Sequence, residues 1–336
     1  MSINPREIPT GAVRYNTDSN KMEVYIGSAW MEVAVSSPNL DGGVRGIFAA
    51  GATNVIDFVT ISSAGNATDF GDVTRGVEKG AAQCANRTRG LIAGGHPSVS
   101  NAIDFITIAS TGNSADFGDL TVSRSYFAGA NNATRGLFGG AWSPSRTNTI
   151  DFVTISQTGN AVDYGDLTAA RQTDATFESP TRGFWAGGAS GSGPSYDAST
   201  SGKIIEFVTT STLGNATDFG DLITGTFAKV GCSNAIRGII GGGYGSPANN
   251  NTLEFITMAS LGNATGFGNL TVSHYYGGGA SSPVRGVFGG GYTGGGSATD
   301  VIDYVQIMTE GNAVDFGNLT ATRTEIKAFS NGNGGL

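Results

Sequence analysis

Two histidines, two cysteines and a charged fraction of only 14% leave this 336-residue chain little material for chemistry. With His96 and His274 alone, general acid–base catalysis by imidazole is poorly supplied. There is no P-loop, no Ser-His-Asp order and no His-Glu-x-x-His run, so those phosphate, acyl-transfer and zinc-protease signatures are missing. No apolar run reaches about 18 residues, and no membrane-spanning helix is expected. The opening MSINPREIPTG lacks an apolar core and does not read as a secretory signal. Lys and Arg number 19 against 27 Asp and Glu, a net charge of −8, and no basic stripe suggests nucleic-acid binding. The expectation is a protein with no catalytic residues, cofactor, metal or nucleic-acid partner.

Glycine is what the chain has in abundance, with 54 residues. Such a content suggests disorder or a fibre, but the glycines fall at fixed places in a pattern repeated six times. Each copy reads Arg-Gly, an apolar pair, a glycine pair, a loop, Ile-Asp-Phe-Val-Thr-Ile, a Gly-Asn turn and Asp-Phe-Gly-Asp-Leu. The Arg-Gly marks are Arg45, Arg89, Arg135, Arg182, Arg237 and Arg285, at spacings of 44, 46, 47, 55 and 48 residues. A period near 45 built from short apolar runs and glycine turns is the mark of a propeller-type β repeat. In the third copy, 135–140 and 149–155 read as strands, 158–160 as a turn and 161–167 as another strand. The 14 residues between Leu167 and Arg182 have room for a fourth. No apolar stripe of helical period appears.

The ends of the repeat region are complementary. The first copy starts at Arg45 with no strand before it, whereas Thr320 to Asn333 resemble the opening strand of a further copy whose Arg-Gly strand never comes. The expected fold is all-β: a six-bladed propeller over 39–336, closed by pairing its C-terminal strand with the first copy, which removes exposed sheet edges. Residues 1–38 fall outside the repeat. Segments 11–16, 21–27 and 29–35 alternate apolar and polar residues around a turn at 17–20, predicting a small three-stranded sheet. Some 38 residues bury little core, so this segment needs a partner, with Tyr15, Tyr25 and Trp30 as its bulky contact residues.

The run 8–33 (IPTGAVRYNTDSNKMEVYIGSAWMEV) resembles small β segments of tail-fibre and other structural proteins of tailed bacteriophages, above all marine and cyanobacterial ones. The repeats, in stretches such as 101–105 and 112–120, resemble kelch-like repeat proteins of such phages. Their glycine pair fits kelch, while the usual kelch Trp is replaced by Phe70, Phe117, Tyr164, Phe219, Phe267 and Phe316. The resemblance implies a structural virion protein, oligomeric on the particle, that joins other virion proteins through residues 1–38. It transfers no catalytic residue.

Asp57, Asp104, Asp151, Glu206, Glu254 and Asp303 form one repeated carboxylate set; Asp69, Asp116, Asp163, Asp218 and Asp315 a second; Asp72, Asp119, Asp166 and Asp221 a third. Repetition favours a structural role, because an active site is built once per domain. Pairing with the repeated arginines or with turn amides is expected; a glycosidase-type pair and calcium at the turns are the alternatives. The arginines are expected to clamp carboxylates or carbonyls between strands rather than to bind a polyanion. Cys84 and Cys232 hold the same repeat position and read as buried free thiols rather than as a disulfide. The loops after the glycine pairs vary most and carry His96, Trp142, Tyr196, Tyr244 and Tyr292. These either bind a ligand such as a host-surface glycan or cap the core of their own blades.

Overall fold

The computed structural model describes residues 8–17, 21–32, 44–51, 53–76, 79–142, 144–190, 201–245 and 250–336. The chain divides into two units, Met1–Gly42 and Gly43–Leu336. Residues 33–38 of the N-terminal segment and the candidate residue Tyr196 lie outside the described residues.

In the first unit, Val13–Asn16, Lys21–Tyr25 and Trp30–Glu32 form an antiparallel three-stranded sheet in chain order. Val13 lies opposite Val24, Tyr15 opposite Met22 and Val24 opposite Met31. The two-residue alternation of strands therefore gathers Val13, Tyr15, Met22, Val24 and Met31 on one face. The opposite face is knit by Arg14, whose guanidinium lies 4.2 Å from the Trp30 ring centre and 2.7 Å from Glu23. Tyr25 packs on Trp30 there at 5.4 Å. Tyr15 is thus on one face, with Tyr25 and Trp30 on the other, so the three do not make a single patch.

The second unit is all-β and propeller-like. Its described residues form six four-stranded antiparallel sheets, numbered here in the order of their Arg-Gly strands. The third comprises Ala128–Asn131, Arg135–Ala141, Thr147–Thr154 and Val162–Asp166. Short β-branched and aromatic runs set these strands, and Gly and Asn set the turns. Five sheets use consecutive strands. The first sheet takes Lys327–Ser330 beside Arg45–Ala49, with Lys327 opposite Ala49 and Phe329 opposite Ile47. Residues 320–323 extend the last strand of the sixth sheet, Val314–Arg323, so only Lys327–Ser330 supplies the strand the first copy lacks.

The glycine pair has a conformational cause. Gly242 and Gly243 have φ of +66° and +108°, a region L side chains rarely enter, and a Cβ on Gly242 would lie 2.1 Å from the His274 carbonyl oxygen. Apolar side chains fill the gaps between neighbouring sheets. One cluster joins Leu91, Ile103 and Phe117 of the second sheet to Phe138 and Val153 of the third. Another joins Val287, Ile302 and Phe316 of the sixth to Phe48 and Val59 of the first.

Candidate functional site

The repeated polar residues meet at the seams between sheets. The Gly-Asn turn of one sheet sits on the fourth strand of the sheet before it. Asn113 Oδ1 accepts from the Asp72 amide at 3.0 Å, and Asn160, Asn215, Asn263 and Asn312 accept from the amides of Asp119, Asp166, Asp221 and Asn269 at 3.0–3.1 Å. Asn66 accepts from Asn318 at 3.1 Å, linking the sixth sheet to the first. A Cβ on Gly118 would lie 2.4 Å from the Gly159 oxygen, so the Asp-Phe-Gly-Asp glycine is what lets the turn approach.

The first carboxylate set is buried, but its charged partners are not the Arg-Gly arginines. Asp104 pairs with Arg75 at 2.7 Å, Asp151 with Arg124 at 2.8 Å, and Glu206 with Arg171. Glu254 faces Lys229 at 3.7 Å, Asp303 faces His274 at 3.6 Å, and Asp57 pairs with Arg323. Five of these basic residues lie between the fourth strand of one sheet and the first strand of the next, and Arg323 ends the extended fourth strand of the sixth sheet. The same stretch brings the turn amides expected as partners: Asp151 accepts from the Thr121 amide at 3.0 Å and hydroxyl at 2.7 Å. Five of the Arg-Gly arginines instead cap carbonyls of the following sheet, as Arg45 does with Ile108 O at 2.8 Å and Arg182 with Met258 O at 2.8 Å, while Arg237 lies 3.7 Å from the Glu310 carboxylate. Their guanidinium groups lie 4.3–5.0 Å from the ring centres of Phe58, Phe105, Phe152, Phe207, Phe255 and Tyr304. The expected pairing of this carboxylate set with the repeated arginines therefore fails: four members take other arginines, Glu254 takes Lys229 and Asp303 takes His274, and five of the Arg-Gly arginines meet the carbonyl half of their expectation. The second carboxylate set is exposed on the fourth strands.

Four of the five loop residues singled out in the sequence join an array of rings. His96 lies 6.1 Å from Tyr126, which meets Trp142 at 5.4 Å and Tyr276 at 6.1 Å. From Tyr276 the array continues through Phe227 at 6.2 Å to Tyr244, and through Tyr275 at 6.1 Å. Tyr244, Tyr275 and Tyr292 form a row with centroids 5.1 and 5.0 Å apart, the second pair stacked within 19°. Trp142 and Tyr244 are 37% and 44% exposed, enough to present ring surface to a ligand. Glu325 accepts from Tyr126 Oη at 2.8 Å and Tyr292 Oη at 3.4 Å. Tyr126, Tyr276 and Glu325 have φ of +55° to +57°, a costly conformation for large side chains that turns all three toward this cluster.

Tyr126, Phe227, Tyr275, Tyr276 and Glu325 were not singled out in the sequence. A signal existed: Tyr126, Tyr276 and Glu325 each stand four residues before Ala130, Ala280 and Phe329, one equivalent repeat position.

A cavity of about 40 Å³ lies among the first strands, bordered by Cys84, Asp174, Glu178, Cys232 and Lys327. Both cysteines are free and buried, and burial, followed by the charge of Glu178, raises both thiols. Burial likewise raises Asp174 and lowers Lys327, and it pushes Glu178 up to about 8. Among the described residues no cluster of three or more His, Cys, Asp or Glu side chains could hold a metal ion, and no helix is long and apolar enough to cross a membrane. No protein-family model matches the chain, and no curated protein matches it.

Proposed function

We propose that this chain is a non-enzymatic structural protein of a tailed-phage particle: a closed six-bladed kelch-like propeller held to other virion proteins through residues 1–38. Closure is supported by the pairing of Lys327–Ser330 with Arg45–Ala49 and by the reach of Asn318, Thr320 and Arg323 to Asn66 and Asp57. One observation carries the structural reading. Across the repeats, the first carboxylate set and the Arg-Gly arginines are engaged in sheet-to-sheet contacts, which is how a scaffold uses charge. Attachment to a particle is supported by the phage-like run 8–33 and by the exposed apolar face of the small sheet, where Val13 is 58% exposed and Met31 51%. The test is a phage carrying a deletion of residues 1–38. The truncated protein should be soluble and folded but missing from purified particles; normal incorporation would end the anchor reading.

A second reading, host-surface glycan binding, is favoured by the row Tyr244–Tyr275–Tyr292, to which Trp142 is linked through Tyr126 and Tyr276. Ring faces stack on sugars, and the net charge of −8 suits an uncharged glycan rather than a polyanion. A glycan array should show binding that disappears in the Trp142→Ala, Tyr244→Ala, Tyr292→Ala triple variant. Signal retained in that variant would remove the aromatic row from the site.

A further inference from the structure

We infer that the cavity among the first strands is a binding site for one monovalent metal cation of the sodium or potassium type, held by the Glu178 carboxylate and neutral oxygens. Glu178 is 6% exposed and lines the cavity, and among the described residues no hydrogen-bond donor reaches its carboxylate. A buried carboxylate in that state is costly unless protonated or matched by a cation.

The neighbouring sheets show how the position is normally used. Ser233 and Ser281, one and two sheets further on, occupy the place equivalent to Glu178 and donate their hydroxyls to backbone oxygens at 2.8 and 2.7 Å. Glu178 replaces that small hydroxyl with a charge. Gln83 supplies a buried orphan acceptor on the cavity wall. Its Nε2 donates to Ala49 O at 2.8 Å, which leaves its buried Oε1 with no donor.

The other charges of the wall are satisfied within the protein. Asp174 accepts from Gln172 Nε2 at 2.8 Å and from the Ala228 amide at 2.6 Å. Lys327 Nζ donates to Asp174 O at 2.9 Å. With Glu178 ionised, Asp174, Glu178 and Lys327 together leave the wall one negative charge in excess. One carboxylate among amide, hydroxyl and carbonyl oxygens matches a singly charged hard cation; calcium sites normally recruit more carboxylates. The volume of about 40 Å³ accommodates one ion with a little water, since a single water needs about 10–15 Å³. Burial holds the Glu178 proton to about 8, so cation and proton compete for the same oxygens.

The experiment is thermal unfolding of the full chain in sodium, potassium or tetramethylammonium chloride at equal ionic strength, at pH 6 and pH 9. The bulky organic cation cannot enter. Sodium or potassium should raise Tm over tetramethylammonium by about 2–4 °C at pH 9, with a smaller rise at pH 6. The difference should vanish in Glu178→Gln, which keeps the shape and removes the charge. Identical Tm values in the three salts at pH 9 overturn the site without any variant. A rise that survives in Glu178→Gln overturns it as well.

Discussion

The seams between sheets and the cavity among the first strands use charge in opposite ways. At the seams a carboxylate, a basic side chain and a turn amide recur from sheet to sheet, so that Asp151 has Arg124 and Thr121 and Asp57 has Arg323 and Thr320. Around the cavity the equivalent position varies: Ala85, Asn131, Glu178, Ser233, Ser281 and Ser330 occupy it, and Glu178 alone brings a charge. Repetition delivers each charge together with its partner. A single departure such as Glu178 arrives without one, and the difference separates the part that holds the molecule together from the part free to acquire a ligand.

The sharpest way to break this contrast is to remove residues 320–336. That takes away Arg323 and the strand paired with Arg45–Ala49, leaving Asp57 buried without its cation and a sheet edge bare. Urea unfolding should lose its cooperative transition; an unchanged midpoint would show that the segment is an ornament. Asp151→Ala should come next, at about 3–5 kcal/mol, because it strands the buried Arg124. Arg135→Ala should cost less, about 1 kcal/mol, since that half-buried guanidinium only stacks on Phe152 and caps the Thr210 carbonyl. Equal losses from these two variants would dissolve the distinction between the two arginine sets.

On the cavity side the expected signature is pH dependence. In the fold Glu178 keeps its proton to about 8, whereas an unfolded glutamate loses it near about 4.3. Between these values the folded state binds more protons, so stability falls as pH rises through the window and levels off above it. Urea midpoints measured from pH 5 to pH 9 in tetramethylammonium buffers should show this slope in the native chain and a flatter profile in Glu178→Gln. The smallest stability effect is expected from the Trp142, Tyr244, Tyr292 triple alanine variant, whose rings are partly exposed; its Tm should stay within a few degrees of the native chain.

Much of the fold was legible because the strand signal is local. The β-branched runs, the Gly-Asn turns and the period near 45 are written in adjacent residues, as are the truncated first and last copies. The seam partners were only partly legible. Arg124, Arg171, His274 and Arg323 each stand four residues after Leu120, Leu167, Leu270 and Leu319, but His274 breaks the residue type, and Arg75 stands two after Val73 and Lys229 seven after Leu222. A side chain three residues out of place still reaches the same carboxylate when its backbone follows a different path. The aromatic array was half legible. Loop residues stood out by their variability, while Tyr126 and Tyr276 shared a repeat position before a strand but carried no sign of the positive φ that turns both rings toward a common cluster.

The sequence by itself determined the strand order, the spacing of the sheets and the need for a strand supplied from the far end, since these follow from periodicity and from an imbalance between the first and last copies. The tertiary structure alone decided which arginine meets which carboxylate, which tyrosines share a surface, and that Glu178 faces a cavity without a donor. Those outcomes depend on distances between segments tens to hundreds of residues apart, and burial, rather than residue type, fixes what each charge costs.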